Sequence, residues 1–251
     1  MQHLDDFCHA GEPLFIHVLG CGHTGSSIFA RILGEHSKIY FVPIESGMFL
    51  ANRFFEEDNY RNKYVREAER CNASFVLEKT PRHIWHHDYI RRKYPNTKFI
   101  ITTRDGREVI GSLYERHKDW QLAFSRYLDD SIMSLRQLKA PDTMLVKYED
   151  FVSDPSAILE RTYHWIGLSF DKTILKYHER PFDWNLTNPY MTDGLPTDHD
   201  LKRNLQVNSK LNYRPSKWRS RVPEELHSEM EALFSSGGDG NKIMRAFGYE
   251  V

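Results

Sequence analysis

Two rhythms of apolar and polar residues run along the chain. Leu14–Gly20, LFIHVLG, is a short unbroken apolar run stopped by glycine. That is the pattern of a strand buried on both faces. Ser74–Pro81 (SFVLEKTP), Lys98–Arg104 (KFIITTR) and Thr143–Asp150 (TMLVKYED) repeat it, and Ile39–Glu45 (IYFVPIE) is a further extended piece. Helical spacing fills the intervals. After Ser27, Ile28 pairs with Ile32 and Phe29 with Leu33 at i,i+4, and Gly34 follows as a C-cap. Asp105 with Glu108 three residues on has the spacing of a capping box. Pro155 opens the helix PSAILERTYHWIG, and the stretches VPEELHSEMEALF and GNKIMRAFGYE close the chain as helices. Strand and helix in alternation predict right-handed crossovers and an α/β fold, a parallel sheet flanked by helices. The segment Arg180–Lys217 is rich in Pro, Asn and Asp and reads as long loops over the sheet, a lid.

Composition narrows the functional classes. The 251 residues are 40% apolar, with no internal repeat or low-complexity tract, which predicts one domain over residues 1–251, of which 1–13 form an N-terminal extension. Lys plus Arg number 34 against 35 Asp plus Glu. A near-neutral chain excludes bulk nucleic-acid binding, so any anion site has to be assembled locally. The cysteines, Cys8, Cys21 and Cys71, are odd in number and widely spaced, which argues against a disulfide framework and for a reducing compartment. The start MQHLDDFCHAGEP is acidic rather than signal-like, and no run approaches the roughly 18 apolar residues of a membrane span. The expectation is a cytoplasmic protein with no membrane partner, in which the sequons at Asn72 and Asn185 are chance.

The chemistry concentrates in three places. Gly20–Ser27, GCGHTGSS, joins the first strand to the first helix and has phosphate-loop glycine spacing, with Ser26 where an ATP-binding loop carries lysine. Such a turn offers backbone N–H groups and a helix N-terminus to phosphate, sulfate or carboxylate. Without the lysine, ATP hydrolysis is disfavoured; the hydroxyls of Ser26 and Ser27 and the imidazole of His23 remain as donors. The second place is Arg104, at a strand end, with Ser112 eight residues later on the following helix. Both can share the carboxyl edge with the loop and form a second anion site. The third is a basic cluster of Arg214, Lys217 and Arg219 around Trp218, either a solvated turn or a flap over one of those sites. His83, His86 and His87 lack three ligands at metal spacing, so no metal is predicted, and lining the acceptor pocket is the better role for His83 or His86. The aromatics Phe49, Phe54, Phe55 and Tyr60 read as helix core.

Together these residues resemble the sulfotransferases that use 3′-phosphoadenosine 5′-phosphosulfate (PAPS), nearest the tyrosylprotein-sulfotransferase-like and bacterial branch. Gly22-His23-Thr24-Gly25-Ser26-Ser27 matches the 5′-phosphosulfate loop, Arg104 to Ser112 the 3′-phosphate motif, and LVKYEDF the Tyr-Glu-Asp strand. LEKTPRH matches a Lys-bearing central strand end, and FDWN, QVNSK and SKWRSRVPEE the C-terminal part; the likeness runs from about Leu14 to Tyr249. The resemblance implies a P-loop-containing three-layer α/β sandwich. It implies transfer of a sulfuryl group from PAPS to a hydroxyl, N-hydroxyl or amine of a small-molecule acceptor, such as a specialised metabolite, by metal-free in-line displacement that leaves adenosine 3′,5′-bisphosphate (PAP). By that likeness Glu45 is the base, Lys79 the fixed cation on the transferring group, and His23 assists the leaving side. Residues Gly22 to Ser27, Arg104, Ser112, Lys217 and Trp218 hold the nucleotide, and Tyr148 either touches adenine or packs in the core. His23 departs from the Arg or Lys usual in the family. That makes the site sensitive to pH and leaves a non-catalytic nucleotide-binding protein as a rival reading. Protein-tyrosine sulfation is the rival within the enzyme class.

Overall fold

A computed structural model describes residues 11–50, 56–184, 186, 196–212 and 216–250. Five strands, β1 (Leu14–Gly20), β2 (Ile39–Phe41), β3 (Phe75–Lys79), β4 (Lys98–Thr103) and β5 (Thr143–Lys147), form one sheet in the order β2-β3-β1-β4-β5. Every pairing is parallel, as the alternation of strands and helices predicts. The central strand is β1. Its Val18 lies opposite Lys79 on one side and its Gly20 opposite Thr102 on the other.

Burial explains why these runs carry no polar alternation. Ile16 and Val18 face α1 (Ser26–Leu33) and α7 (Pro155–Ile166), in a core with Phe29, Ile100, Leu159 and Tyr163. Phe15 and Leu19 face the opposite way, towards α2 (Glu57–Arg70) and α3 (His87–Lys93), in a core with Tyr64, Val76, Ile90 and Ile101. Each fully buried aliphatic or aromatic side chain contributes roughly 1.5–3 kcal/mol, so two-sided burial fixes β1 at the centre of three layers. A third apolar cluster joins α4 (Gly106–His117), α5 (Trp120–Gln137), α9 (Trp218–Arg221), α10 (His227–Phe234) and α11 (Asp239–Ala246) through Ile110, Leu113, Tyr127 and Met230. Phe49 and Tyr60 are core residues, as expected; Phe54 and Phe55 lie outside the described residues.

Several sequence expectations are corrected. The strand expected over Thr143–Asp150 ends at Lys147, and Tyr148–Ser153 is helix α6. Glu149 and Asp150 suit a helix's first turn, and the Glu149 carboxylate accepts from the Asp105 N–H (2.9 Å) and the Tyr249 hydroxyl (2.7 Å), which turns the chain there. Asp105 does cap α4, accepting from the Arg107 N–H at 2.9 Å, but Glu108 does not close a capping box. Glu108 instead accepts from Ser216 Oγ (2.8 Å) and from the N–H groups of Lys217 (2.6 Å) and Trp218 (2.9 Å). The strand expected over Ser74–Pro81 is β3, ended by its proline as expected, and Pro81–His86 follows as a 3₁₀ turn. Gly34 caps α1 with right-handed backbone. The lid segment is not all loop. It contains α8 (Asp198–Asn208), opened by a full capping box between Thr197 and Asp200.

Candidate active site

All five strands point their carboxyl ends at one edge, and each delivers a candidate residue there. The loop after β1 is held rigidly. Thr24 Oγ1 donates to the Cys21 carbonyl (2.9 Å) and lies 2.7 Å from Thr102 Oγ1 on β4. The Thr24 hydroxyl therefore fastens the loop to the sheet, and what it offers a ligand is its backbone N–H. Gly25 is the N-cap of α1 in left-handed backbone (φ 84°), with no side-chain cap and no acidic residue in the first turn. A Cβ there would stand 2.3 Å from the Tyr148 ring. Glycine is needed for both reasons, and the first N–H groups of α1 have no side-chain cap, which suits an anion.

One pocket collects these parts. His23, Gly25 and Ser27 of the loop share it with Arg104, Ser112 and Tyr148. Ser112 Oγ shares a 2.8 Å hydrogen bond with His23 Nδ1, so the two expected anion sites are in contact. Arg104 stacks on the Tyr148 ring at 4.5 Å, which makes that tyrosine a pocket wall. Lys217 and Arg221 complete this end. Arg104 and Arg221 both pair with the buried Glu108, at 3.2 and 3.1 Å. Burial pushes the Glu108 carboxyl up, but hydrogen bonds from Ser216 and Lys217 and the charge of Arg104 outweigh it and hold the group below the usual range.

Other predicted residues lie behind the wall. Ser26 is buried beneath the loop, and Gly22 packs against the Arg126 guanidinium. Trp218 is buried over Gly111 and against the His227 ring, and it reaches the site only through its N–H to Glu108. Arg214 lies outside the described residues; Arg219 is exposed and pairs with Glu231.

Glu45 and Lys79 meet at the ends of β2 and β3 as a hydrogen-bonded ion pair. Lys79 is 1% exposed and its ammonium lies 4.2 Å from the centre of the buried Trp184 ring, whereas the Glu45 side chain is 43% exposed. Burial pushes the Glu45 carboxyl up, and the Lys79 charge and hydrogen bond more than reverse it, so the group stays below its usual range. Burial lowers the Lys79 ammonium, and Glu45 restores only part of that. Lys79 does not pair with its neighbour Glu78.

Glu78 instead organises the loop that carries Glu45. Its carboxylate accepts from Ser46 N–H (3.3 Å), Ser46 Oγ (2.7 Å) and Thr80 Oγ1 (2.5 Å), and lies 3.2 Å from His17 Nδ1 and 3.1 Å from His83 Nδ1. Gly47 N–H donates to Thr80 Oγ1 (3.2 Å) and Phe49 N–H to His83 Nε2 (3.3 Å). His83 is thus a core residue and not part of a pocket wall. His17, Glu78 and His83 are close enough to suggest a metal triad. The Phe49 N–H, however, requires His83 Nε2 to accept, which places that ring's proton on Nδ1, where it donates to Glu78. The donor set fits a buried hydrogen-bonded carboxylate better than a metal centre.

Sequence reasoning missed Glu78, Glu108, Glu149, Trp184, Arg203 and Arg221. Acidic residues of this kind look like surface residues in a string, and only their burial among donors distinguishes them.

The comparisons agree with this architecture. Residues 52–172 match the model of the "Sulfotransferase family". A Caenorhabditis briggsae relative bearing a protein-tyrosine sulfotransferase name is 30% identical over 100 residues, 36% of this chain and 36% of that one. The match thus spans about a third of the length of that curated relative. The sulfotransferase domain of the Synechococcus PCC 7002 olefin synthase superposes with a TM-score of 0.58 at 17% identity, covering 100% of both chains. A mouse sulfotransferase complexed with PAP superposes at 0.55 with 12% identity, covering 96% of this chain and 90% of that one.

Proposed function

From the premise that residues 52–172 belong to the sulfotransferase family, on a chain folded as sulfotransferases are, we propose that this protein transfers a sulfuryl group from PAPS to a nucleophilic oxygen or nitrogen of a small-molecule acceptor. The observation that supports the reading is the pocket at the carboxyl edge, where the uncapped loop of His23, Gly25 and Ser27 meets Arg104, Ser112 and Lys217. Such a donor set suits a ligand with two separated anionic ends: N–H groups and hydroxyls for one, a guanidinium and an ammonium for the other.

When bound, PAPS supplies an activated sulfuryl group, whose sulfur exchanges its bond to the bridging phosphate oxygen for one to the acceptor, while PAP leaves with the electron pair. The chain's own groups do the rest. Glu45, ionised and partly exposed, takes the acceptor's proton. Lys79, buried beneath it and covered by Trp184, offsets charge on the transferring group. Arg104, Ser112 and Lys217 hold the 3′-phosphate, and Tyr148 keeps Arg104 in place. A peptide tyrosine is the competing acceptor, because the Caenorhabditis briggsae relative carries that name.

The test is a melting scan with PAP, followed by turnover of labelled PAPS with a metabolite extract or a tyrosyl peptide. PAP at 100 times its Kd should stabilise the fold by about 2.7 kcal/mol without Mg²⁺. Stronger stabilisation by ATP with Mg²⁺ would reject the reading. Tight PAP binding without transfer or PAPS hydrolysis would turn it into the non-catalytic one.

A further inference from the structure

We propose that Arg203 is the cation that meets the sulfuryl end of the bound donor, supplying from α8 the fixed charge that His23 does not supply from the loop. The inference rests on the function proposed above.

Arg203 lines the same pocket as His23, Ser27 and Arg104, although it is 180 residues from His23 in the chain. Helix α8 is docked to carry it there. Val207 is buried in the core. The Asn204 side chain accepts from Trp184 N–H (2.9 Å), and the Asn208 side chain accepts from Phe182 N–H (2.9 Å) and donates to the Phe182 carbonyl (2.8 Å). Thr197 and Asp200 fix its first turn.

The other guanidiniums of the pocket are neutralised. Arg104 and Arg221 share Glu108, and Arg221 also reaches Glu115 at 3.3 Å. Arg203 is half-buried, and among the described residues its one hydrogen bond is a 3.4 Å contact to Gln206, with no carboxylate at ion-pair distance. A partly buried, unneutralised guanidinium is poised for an incoming anion.

Position decides which anion. Arg104, Lys217 and Arg221 gather around Glu108, which defines one end of the pocket. Arg203 belongs to the other end, because the adjacent Asn204 holds the Trp184 N–H (2.9 Å), and the Trp184 ring covers Lys79 (4.2 Å), the partner of Glu45. In-line transfer requires the base to lie beyond the sulfur on the acceptor side, so the pocket guanidinium on the Trp184–Lys79–Glu45 side is the one beside the sulfuryl group. His23, held through Nδ1 to Ser112, is directed towards α4 instead.

The experiment compares Arg203→Gln and Arg203→Lys with the unmodified protein and with Arg104→Gln, using PAP and PAPS as separate probes in titration calorimetry. PAPS hydrolysis is followed in parallel, and circular dichroism and melting temperature check the fold. Arg203→Gln should leave PAP affinity within about threefold and weaken PAPS about tenfold. It should slow sulfuryl release about 10²–10³-fold, and Arg203→Lys should recover part of both losses. Arg104→Gln should weaken PAP and PAPS alike. Equal loss of PAP and PAPS in Arg203→Gln, or no change in either, would overturn the assignment while leaving the sulfotransferase reading intact. An unmodified protein that binds neither probe would overturn that reading and the assignment with it.

Discussion

The candidate base is a carboxylate locked to an ammonium, and that pairing sets its chemistry. Glu45 is held below its usual value of 4.5 because the Lys79 charge outweighs the cost of burial. A group with a depressed pKa is ionised above that value and loses its charge only as the pH falls through it. The acid limb of the rate profile assigned to Glu45 should therefore lie below the ordinary glutamate range, and any rate loss between pH 5 and 7 belongs to another group. Glu45→Gln should reduce single-turnover transfer about 10²–10⁴-fold with PAP binding unchanged. Near-normal transfer would remove the residue from the mechanism. At this scale the string was informative. Glu45, Lys79, Arg104 and Ser112 are all legible as strand-end or helix-face residues. Their partners were not, since Lys79 chose Glu45 over adjacent Glu78 only because the sheet sets β2 beside β3.

Among the elements, the short stretch after β2 is held chiefly by side chains of β3 and the turn beyond it. Four consecutive N–H groups, Ser46 to Phe49, are taken by Glu78, Thr80, Ser46 Oγ and His83. Glu78 is fully buried, and its pKa is lowered well below the usual 4.5: burial raises it, but His83 and His17 together more than compensate. Its stabilising contribution is present above the unfolded glutamate value and lost as the pH falls through the folded one. Glu78→Gln should cost about 1–3 kcal/mol at pH 7, and the gap to the unmodified protein should narrow in acid, as read by denaturant unfolding. A gap independent of pH would mean that the carboxylate is not charged in the fold. The phosphate loop makes a second demand. Gly25→Ala forces a side chain into left-handed backbone and against Tyr148, so the PAP-induced rise in melting temperature should disappear. Both devices show why element boundaries were only partly legible. The capping-box spacing at Asp105 was real in sequence, but Glu108 was drawn to the backbone of Lys217 and Trp218 more than 100 residues away.

For the molecule as a whole, the formal charge of −1 hides a local excess of cations. Among the described residues, Arg104, Arg203, Lys210, Lys217 and Arg221 line one pocket against the single carboxylate of Glu108. Affinity for PAP should fall at least about fivefold as ionic strength rises from 0.05 to 0.5 M, because the screening length contracts from well above 10 Å to a few ångströms. Salt-independent affinity would place the nucleotide elsewhere. Net charge said nothing of where the positive groups gather.

The order of strands and helices, the parallel sheet and the glycine-rich loop after β1 were determined by the sequence alone. They depend on local periodicity, on glycine and proline at the element ends, and on capping spacings that lie within a few residues of one another. Which charges face which was decided only in three dimensions. Glu78 became a buried hub, Glu108 a meeting point for two arginines, and Arg203 a pocket wall because sheet register and helix docking bring together groups far apart in the chain. Electrostatic energy depends on those distances and on the exclusion of water, neither of which is written in the order of residues.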